Sequence, residues 1–173
     1  MSCVLDAMKK RRSIRNFKPD MVPKDAIQKI IEAGSYAANG RGMQGTIVVA
    51  VTNKEIRDQL SKINAEIMGT PDKDPFYGAP VVLIVLADKN RPTCVYDGSL
   101  VMGNMMLAAH ELGLGSCWIH RAKEEFEMEK WKTWLQTLGV EGEFEGIGHC
   151  VVGYANEEPV AAPRKDHFVY YVE

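Results

Sequence analysis

Six Lys or Arg residues stand among the first 18 positions against one acid, Asp6, and five of the six fall in Lys9-Lys10-Arg11-Arg12-Ser13-Ile14-Arg15. The whole chain has a formal charge of −2, so the remainder carries −7 and the positive charge is concentrated rather than spread. A second basic group, Pro163-Arg164-Lys165, lies near the other end. Guanidinium groups offer planar forks of donors and the Ser13 hydroxyl adds another, a set that suits a phosphate monoester. A small phosphorylated cofactor is therefore the expected ligand. Set against it are ordinary solvated charge at the negative end of a helix dipole and, from another functional class, a basic arm for RNA or an acidic partner. Aromatic residues are not interleaved with the basic ones, which disfavours base stacking, and a pI near 6.1 disfavours nonspecific nucleic-acid binding by the surface as a whole. No nucleic-acid partner is expected.

Other reactive side chains offer little competing chemistry. The four cysteines (Cys3, Cys94, Cys117, Cys150) form no C-x-x-C pair and no metal-like spacing with the four histidines, so a zinc site is not expected and the thiols read as reduced. Cys117 reads as a small buried hydrophobe, with no cationic neighbour in its own strand to lower its pKa. His110 and His149 read as structural histidines, while His120 divides evenly between a structural and a functional role. No Ser-His-Asp or Cys-His constellation stands out. The N-terminus lacks an apolar leader segment and no run approaches the ~20 apolar residues of a membrane helix, so a cytoplasmic protein without membrane partners is expected.

The elements that must carry these groups follow from spacing. With 173 residues and 46% hydrophobic content the chain is expected to form one domain, residues 1–173, with a core that needs neither metal nor disulfide. Ser2 is a cap for a short helix running into the basic cluster. Pro23 opens a second helix carrying Ala26, Ile27, Ile30, Ile31 and Ala33, with Gly34 at its end. A glycine-rich loop over 37–45 precedes a buried strand, Thr46 to Val51, and Thr52-x-x-Glu55 reads as a capping box for the next helix. Pro71, Pro75, Gly78 and Pro80 exclude regular structure over 69–80, a candidate mobile lid. Val81 to Ala87 is a fully apolar strand and Asp97 to Leu112 a central helix. After them come a short strand over 115–119, a charged helix over 124–138 anchored by Trp131 and Trp134, and a last strand over 147–154. The apolar tail, about 160–173, is too long to be covered by its own domain and is expected to extend onto a partner subunit. Strands and helices interleave, but no G-x-G-x-x-G follows a strand, so the class is α+β with a mixed central sheet flanked by helices rather than a dinucleotide-binding fold.

In this order, Arg11-Arg12-Ser13-Ile14-Arg15-Asn16-Phe17, Met43-Gln44 closing a small-residue loop, Ala108 to Ile119 (AAHELGLGSCWI), and Gly153-Tyr154 with Pro163-Arg164-Lys165 resemble the nitroreductase family of flavin enzymes over essentially the whole chain. The resemblance implies an α+β homodimer with FMN at the subunit interface, taking hydride from NADH or NADPH and reducing nitroaromatics, quinones or similar small-molecule acceptors by ping-pong turnover. By the same resemblance, Arg11, Arg12, Ser13 and Arg15 hold the FMN phosphate and ribityl chain, and Arg164 and Lys165 close over the phosphate. Met43 and Gln44 contact the flavin, usually across the interface. Asn64 matches an asparagine near the pyrimidine edge, and Cys117, Trp118, Ile119 and His120 match a strand end against the ring. No catalytic side chain is implied, because flavin N5 carries the hydride. The loop departs from the usual pattern, with Ala38 and Asn39 for proline and serine, Gly42 for asparagine, and Gly45-Thr46 for Pro-Trp. There Asn39 is expected to replace a lost polar contact. Dehalogenation or enoate reduction on the same scaffold is the alternative activity.

Overall fold

A computed structural model describes residues 3–173 of the chain. The order is α1 (Cys3–Lys10), α2 (Lys24–Ser35), β1 (Thr46–Val51), α3 (Lys54–Ile67), β2 (Val81–Asp88), α4 (Cys94–Glu111), β3 (Gly115–Ile119), α5 (Ala122–Glu127), α6 (Glu129–Thr137) and β4 (Phe144–Gly153). The expected cap at Ser2 lies outside the described residues.

The four strands form one sheet in the order β1-β2-β4-β3. All three ladders are antiparallel. The α+β class stands, but the mixed character expected of the sheet shrinks to an isolated parallel bridge between Ser13 and Ser116. The physical reason is that β2 and β4 are long neighbours running in opposite directions, and both short strands pair on their outer edges. In the central strand β2 every residue from Val81 to Ala87 is fully buried, because its alternate side chains feed two cores. Val82, Ile84 and Leu86 face a cluster with Leu60, Phe76, Phe126 and Trp131. Val81, Leu83 and Val85 face another with Ile27, Ile30, Val101 and Met105.

Four local expectations shift. The cap of α3 is Asn53, whose side chain accepts from Ile56 N, one residue later than the Thr52 box. Gly34 does not end α2. It lies buried within it, where a Cβ would stand 2.8 Å from Met105 Cγ, so its smallness lets α2 and α4 approach. The charged helix over 124–138 breaks at Met128, which has extended backbone, into α5 and α6. The segment over 69–80, expected as a mobile lid, is pinned instead. Phe76 is fully buried, and the Asp74 carboxylate accepts from the Ser61 hydroxyl, from the Phe76 and Gly78 amides and from the Arg57 guanidinium. Burial alone would raise the Asp74 carboxyl. The Arg57 and Ser61 hydrogen bonds, the Arg57 charge and the Gly78 amide together outweigh that and hold it below the ordinary carboxylate range.

Candidate functional site

The basic cluster is fixed to the free edge of β3. Ile14 N donates to Ser116 O at 3.0 Å, Lys18 N donates to Tyr154 O at 2.9 Å, and Phe17 bridges Ala155. Ile14 and Phe17, three apart, drive this docking by burying their side chains, while Arg15 between them remains exposed. Gly115 makes it possible: a Cβ there would lie 2.8 Å from Ile14 Cγ1. Local packing of two apolar residues thus holds the arginines beside the strand that carries Cys117 to Ile119.

A cavity of about 280 Å³ is lined by Arg11, Arg12, Ser13 and Arg15 and, from the other end of the chain, by Arg164 and the 159–162 segment. The two basic clusters therefore converge. Lys165 is exposed and is not part of that lining. Arg12 Nη1 donates to Arg11 O, and Arg164 turns its Nε and Nη2 on Ala162 O at 3.2 and 2.6 Å. Arg11 Nη1 and the Ser116 hydroxyl are buried without a partner. An unpartnered guanidinium nitrogen among these arginines leaves donors free for an anion with several acceptor oxygens. An acid also intrudes here, since the Glu157 carboxylate accepts the Arg15 backbone N–H.

The β3 residues divide by face. Cys117 and Ile119 are buried in the first core cluster, and Trp118, partly exposed, crosses Gly148, where a Cβ would meet its Nε1 at 2.2 Å. Burial pushes the Cys117 thiol up, against the opposing pull of Arg15, the Ser13 hydroxyl and Arg11. The docked segment thus brings cations to Cys117 that its own strand lacks, and burial still wins. Cys150, wholly buried, is pushed up to about 12 by desolvation. Neither thiol is in a setting that favours the thiolate. His120 has an exposed side chain at the end of β3.

The 39–44 loop is built by polar contacts. Asn39 Oδ1 accepts from Gln44 N at 2.9 Å, and Gly40 N donates to Asp97 Oδ1 at 3.0 Å. Asp97 Oδ2 in turn accepts from the Thr93 hydroxyl at 2.9 Å. A Cβ on Gly40 would stand 2.3 Å from Thr93 Oγ1, so the loop can sit this close to α4 only with glycine there. Arg41 and Gln44 take left-handed φ values of 54° and 50°, and Met43 and Gln44 stand exposed.

Asn64 is fully buried and spent within the chain. Its Nδ2 donates to His120 O at 2.8 Å and to Glu125 Oε1 at 2.6 Å, and its Oδ1 accepts from Arg121 Nε at 2.9 Å. Sequence reasoning missed Asp97, Ser116, Arg121, Glu125 and Glu157. Only Asp97 had a local signal, its i, i+4 spacing from Thr93; the others are joined to the site by contacts between distant parts of the chain. Among the described residues no group of His, Cys, Asp and Glu is arranged for a metal ion, and no helix is long and apolar enough to cross a membrane.

The family model described as "Nitroreductase family" matches residues 8–154. The chain belongs to the nitroreductase family. It is 34% identical over 119 residues to a Methanothermobacter thermautotrophicus protein provisionally named an NADH dehydrogenase/NAD(P)H nitroreductase, covering 66% of this chain and 59% of that one. An Archaeoglobus fulgidus protein with the same provisional name is 25% identical over 163 residues, covering 91% of this chain and 88% of its own. Among solved structures, a Bacteroides fragilis nitroreductase with bound FMN superposes with a TM-score of 0.88 at 26% identity, over 100% of both chains. The nitroreductase fold is thus common to proteins with little sequence in common, and the docked Arg11–Phe17 segment lies within the matched region.

Proposed function

We propose that this chain is an FMN-dependent oxidoreductase that takes hydride from NADH or NADPH and reduces nitroaromatics, quinones or similar small acceptors by ping-pong turnover. The observation that carries the reading is the convergence of Arg11, Arg12, Ser13, Arg15 and Arg164 on one cavity, with the Arg11 Nη1 donor unsatisfied. That donor set fits a phosphate dianion, and the FMN bound in the Bacteroides fragilis relative carries one. When bound, FMN supplies a ring that accepts a hydride and returns electrons to a second substrate.

The chain's own part is binding, orientation and electrostatics. Arg11, Arg12, Ser13 and Arg15 hold the phosphate end from a rigid strand edge, and Arg164 closes from the tail. The end of β3 from Trp118 to the exposed His120 forms the wall for the ring, with the Cys117 and Ile119 side chains packed behind it. Asn64, with both ends of its amide engaged inside the chain, acts by fixing that wall rather than by touching the ring. Lys165 contributes through charge rather than as a direct ligand. Met43, Gln44 and Asn39 sit on a loop bonded to α4 and to itself, so their contact with the flavin is assigned to the partner subunit's site in a homodimer. Exposure along the whole 160–173 segment, including Phe168 at 88% and Tyr171 at 85%, supports a tail that lies across that partner.

The test is a visible absorption spectrum of purified protein followed by anaerobic addition of NADH and of NADPH. Flavin absorbance that bleaches on addition, and returns when a nitroaromatic or quinone is supplied, is the expected result. A protein that remains colourless after incubation with FMN would overturn it.

A further inference from the structure

Glu125 and His149 are both fully buried, with the Glu125 Oε2 and His149 Nε2 atoms 3.1 Å apart. The two atoms are close but not aligned for a hydrogen bond, for Glu125 Oε2 and both ring nitrogens lack hydrogen-bond partners. Phe76 and Phe126 close around the imidazole with ring centroids at 5.1 and 6.5 Å. Such a pair is a poor source of stability. Desolvating two ionisable groups costs several kcal/mol, and apolar residues of the same volume often do as well or better. Its other contacts suggest what it does instead.

Glu125 Oε1 accepts from Asn64 Nδ2, the same amide nitrogen donates to His120 O, and Asn64 Oδ1 accepts from Arg121 Nε. Arg121 has a left-handed φ of 77°, which a side chain other than glycine's adopts only under constraint. Asn64 therefore clamps the turn that ends β3 at both its carbonyl and its guanidinium, and Glu125 fixes which way the Asn64 amide faces. With the amide reversed, its oxygen would meet the His120 carbonyl and the Glu125 carboxylate, and its NH₂ would meet the Arg121 N–H. All three contacts would become repulsive.

We infer that Glu125, backed by His149, is a positioning residue for electron transfer: through Asn64 it sets the His120–Arg121 turn and holds the Arg121 charge at the end of β3. The inference rests on the flavin reading above, in which that strand end faces the ring. A fixed guanidinium there favours the reduced, more negative state of the cofactor, and a fixed turn shapes the space in which donor and acceptor align.

The experiment compares full-length protein with Glu125→Leu, Glu125→Gln and Asn64→Ala. Each is checked for folding by thermal melt, loaded with FMN, and read by flavin midpoint potential and by kcat and KM separately. Folded E125L and N64A should lower kcat between about tenfold and a hundredfold, with KM changed less than about threefold, and should shift the potential downward. E125Q should recover most of both, since its amide oxygen still accepts from Asn64. Folded E125L or N64A with wild-type potential and kcat would overturn the inference, as would E125Q as impaired as E125L. Failure of the flavin reading would appear earlier, as wild-type protein that takes up no FMN. Hydrogen exchange then decides: the residue 125 amide, which donates to Arg121 O at 3.1 Å, should exchange at least about tenfold faster in E125L than in wild type, and equal rates would overturn the positioning role. If E125L does not fold, N64A, which leaves the buried pair in place, carries the same readouts.

Discussion

Asp97→Ala should cost about 2–4 kcal/mol of folding stability, more than most single changes near a surface loop. Asp97 is 6% exposed and its two oxygens accept from different parts of the chain, the Gly40 amide at 3.0 Å and the Thr93 hydroxyl at 2.9 Å. A hydrogen bond to a charged group contributes about 1.5–3 kcal/mol, and a carboxylate in the first turn of a helix adds about 0.3–1 kcal/mol. Gly40 and Thr93 are only partly buried, so water recovers part of the loss, which brings the expected cost below the sum of these contributions. Asp97→Asn keeps an oxygen for Gly40 and offers an N–H to Thr93 Oγ1, so it should cost about 1 kcal/mol. The assay is urea unfolding at fixed protein concentration, comparing midpoints at equal slope. D97A within about 0.5 kcal/mol of wild type would refute the reasoning. It would mean that the loop from Asn39 to Gln44 is held by something other than its bond to α4. Because that loop bears Met43 and Gln44, D97A should also weaken FMN retention where the Asn variant does not.

Arg15→Ala should lower FMN affinity by about 1.5–3 kcal/mol if Arg15 makes a charge-assisted phosphate bond; unchanged affinity in a fluorescence titration would remove it from the site. Asp74 is held below its ordinary pKa in the folded chain, so its contribution is present above the unfolded value of about 3.9 and is lost as pH falls through the folded one. Asp74→Asn should therefore destabilise clearly at pH 7 and progressively less as pH falls below about 3.9, and a pH-independent difference in chemical denaturation would count against the pinned segment. Deleting residues 166–173 should loosen the dimer, and a truncated protein that stays dimeric at nanomolar concentration in sedimentation would show that the tail does not bridge subunits.

Much of the frame was legible because it rests on short-range rules. Val81 to Ala87 announces a strand buried on both faces by an unbroken apolar run, and Thr46 to Val51 and Gly115 to Ile119 match the bounds of β1 and β3, although β1, expected to be buried, is an edge strand in which only Val51 is buried. Two basic clusters nearly 150 positions apart predicted a common place for both, and the structure brings Arg11 to Arg15 and Arg164 to one cavity. What escaped was decided by distant partners. Pro71, Pro75, Gly78 and Pro80 forbid helix and strand, yet irregular backbone need not be loose, and Asp74 supplies the acceptors that fix it. Asn64 carries a family resemblance to a flavin contact, but which way its amide points depends on Glu125 and Arg121, about 60 residues away and on another element. Gly34 looked like a helix stop and is a contact surface, a distinction that Met105 makes and local sequence cannot. The mixed sheet was expected from the alternation of strands and helices, whereas direction is set by which strands become neighbours.

The parts of the arginine-lined cavity differ in how much freedom they have left to lose. Arg11 to Arg15 are already paid for by Ile14 and Phe17, whose burial holds the backbone against β3 whether or not a ligand is present. Arg164 belongs to a stretch that is exposed throughout and makes no backbone hydrogen bond to the rest of the described residues. Ordering such a segment costs roughly 1–2 kcal/mol per residue in backbone entropy. A single guanidinium–phosphate bond offsets only one or two residues of that cost, so Arg164 cannot hold the tail by itself. The apolar side chains beyond it, from Phe168 to Val172, must supply the balance by finding a surface, and their own domain leaves them exposed. Cofactor binding and subunit association are therefore expected to reinforce each other in this chain. The ligand contributes to ordering the tail and the partner supplies the apolar cover that makes the ordering favourable, so loss of either should weaken the other by the same coupling free energy.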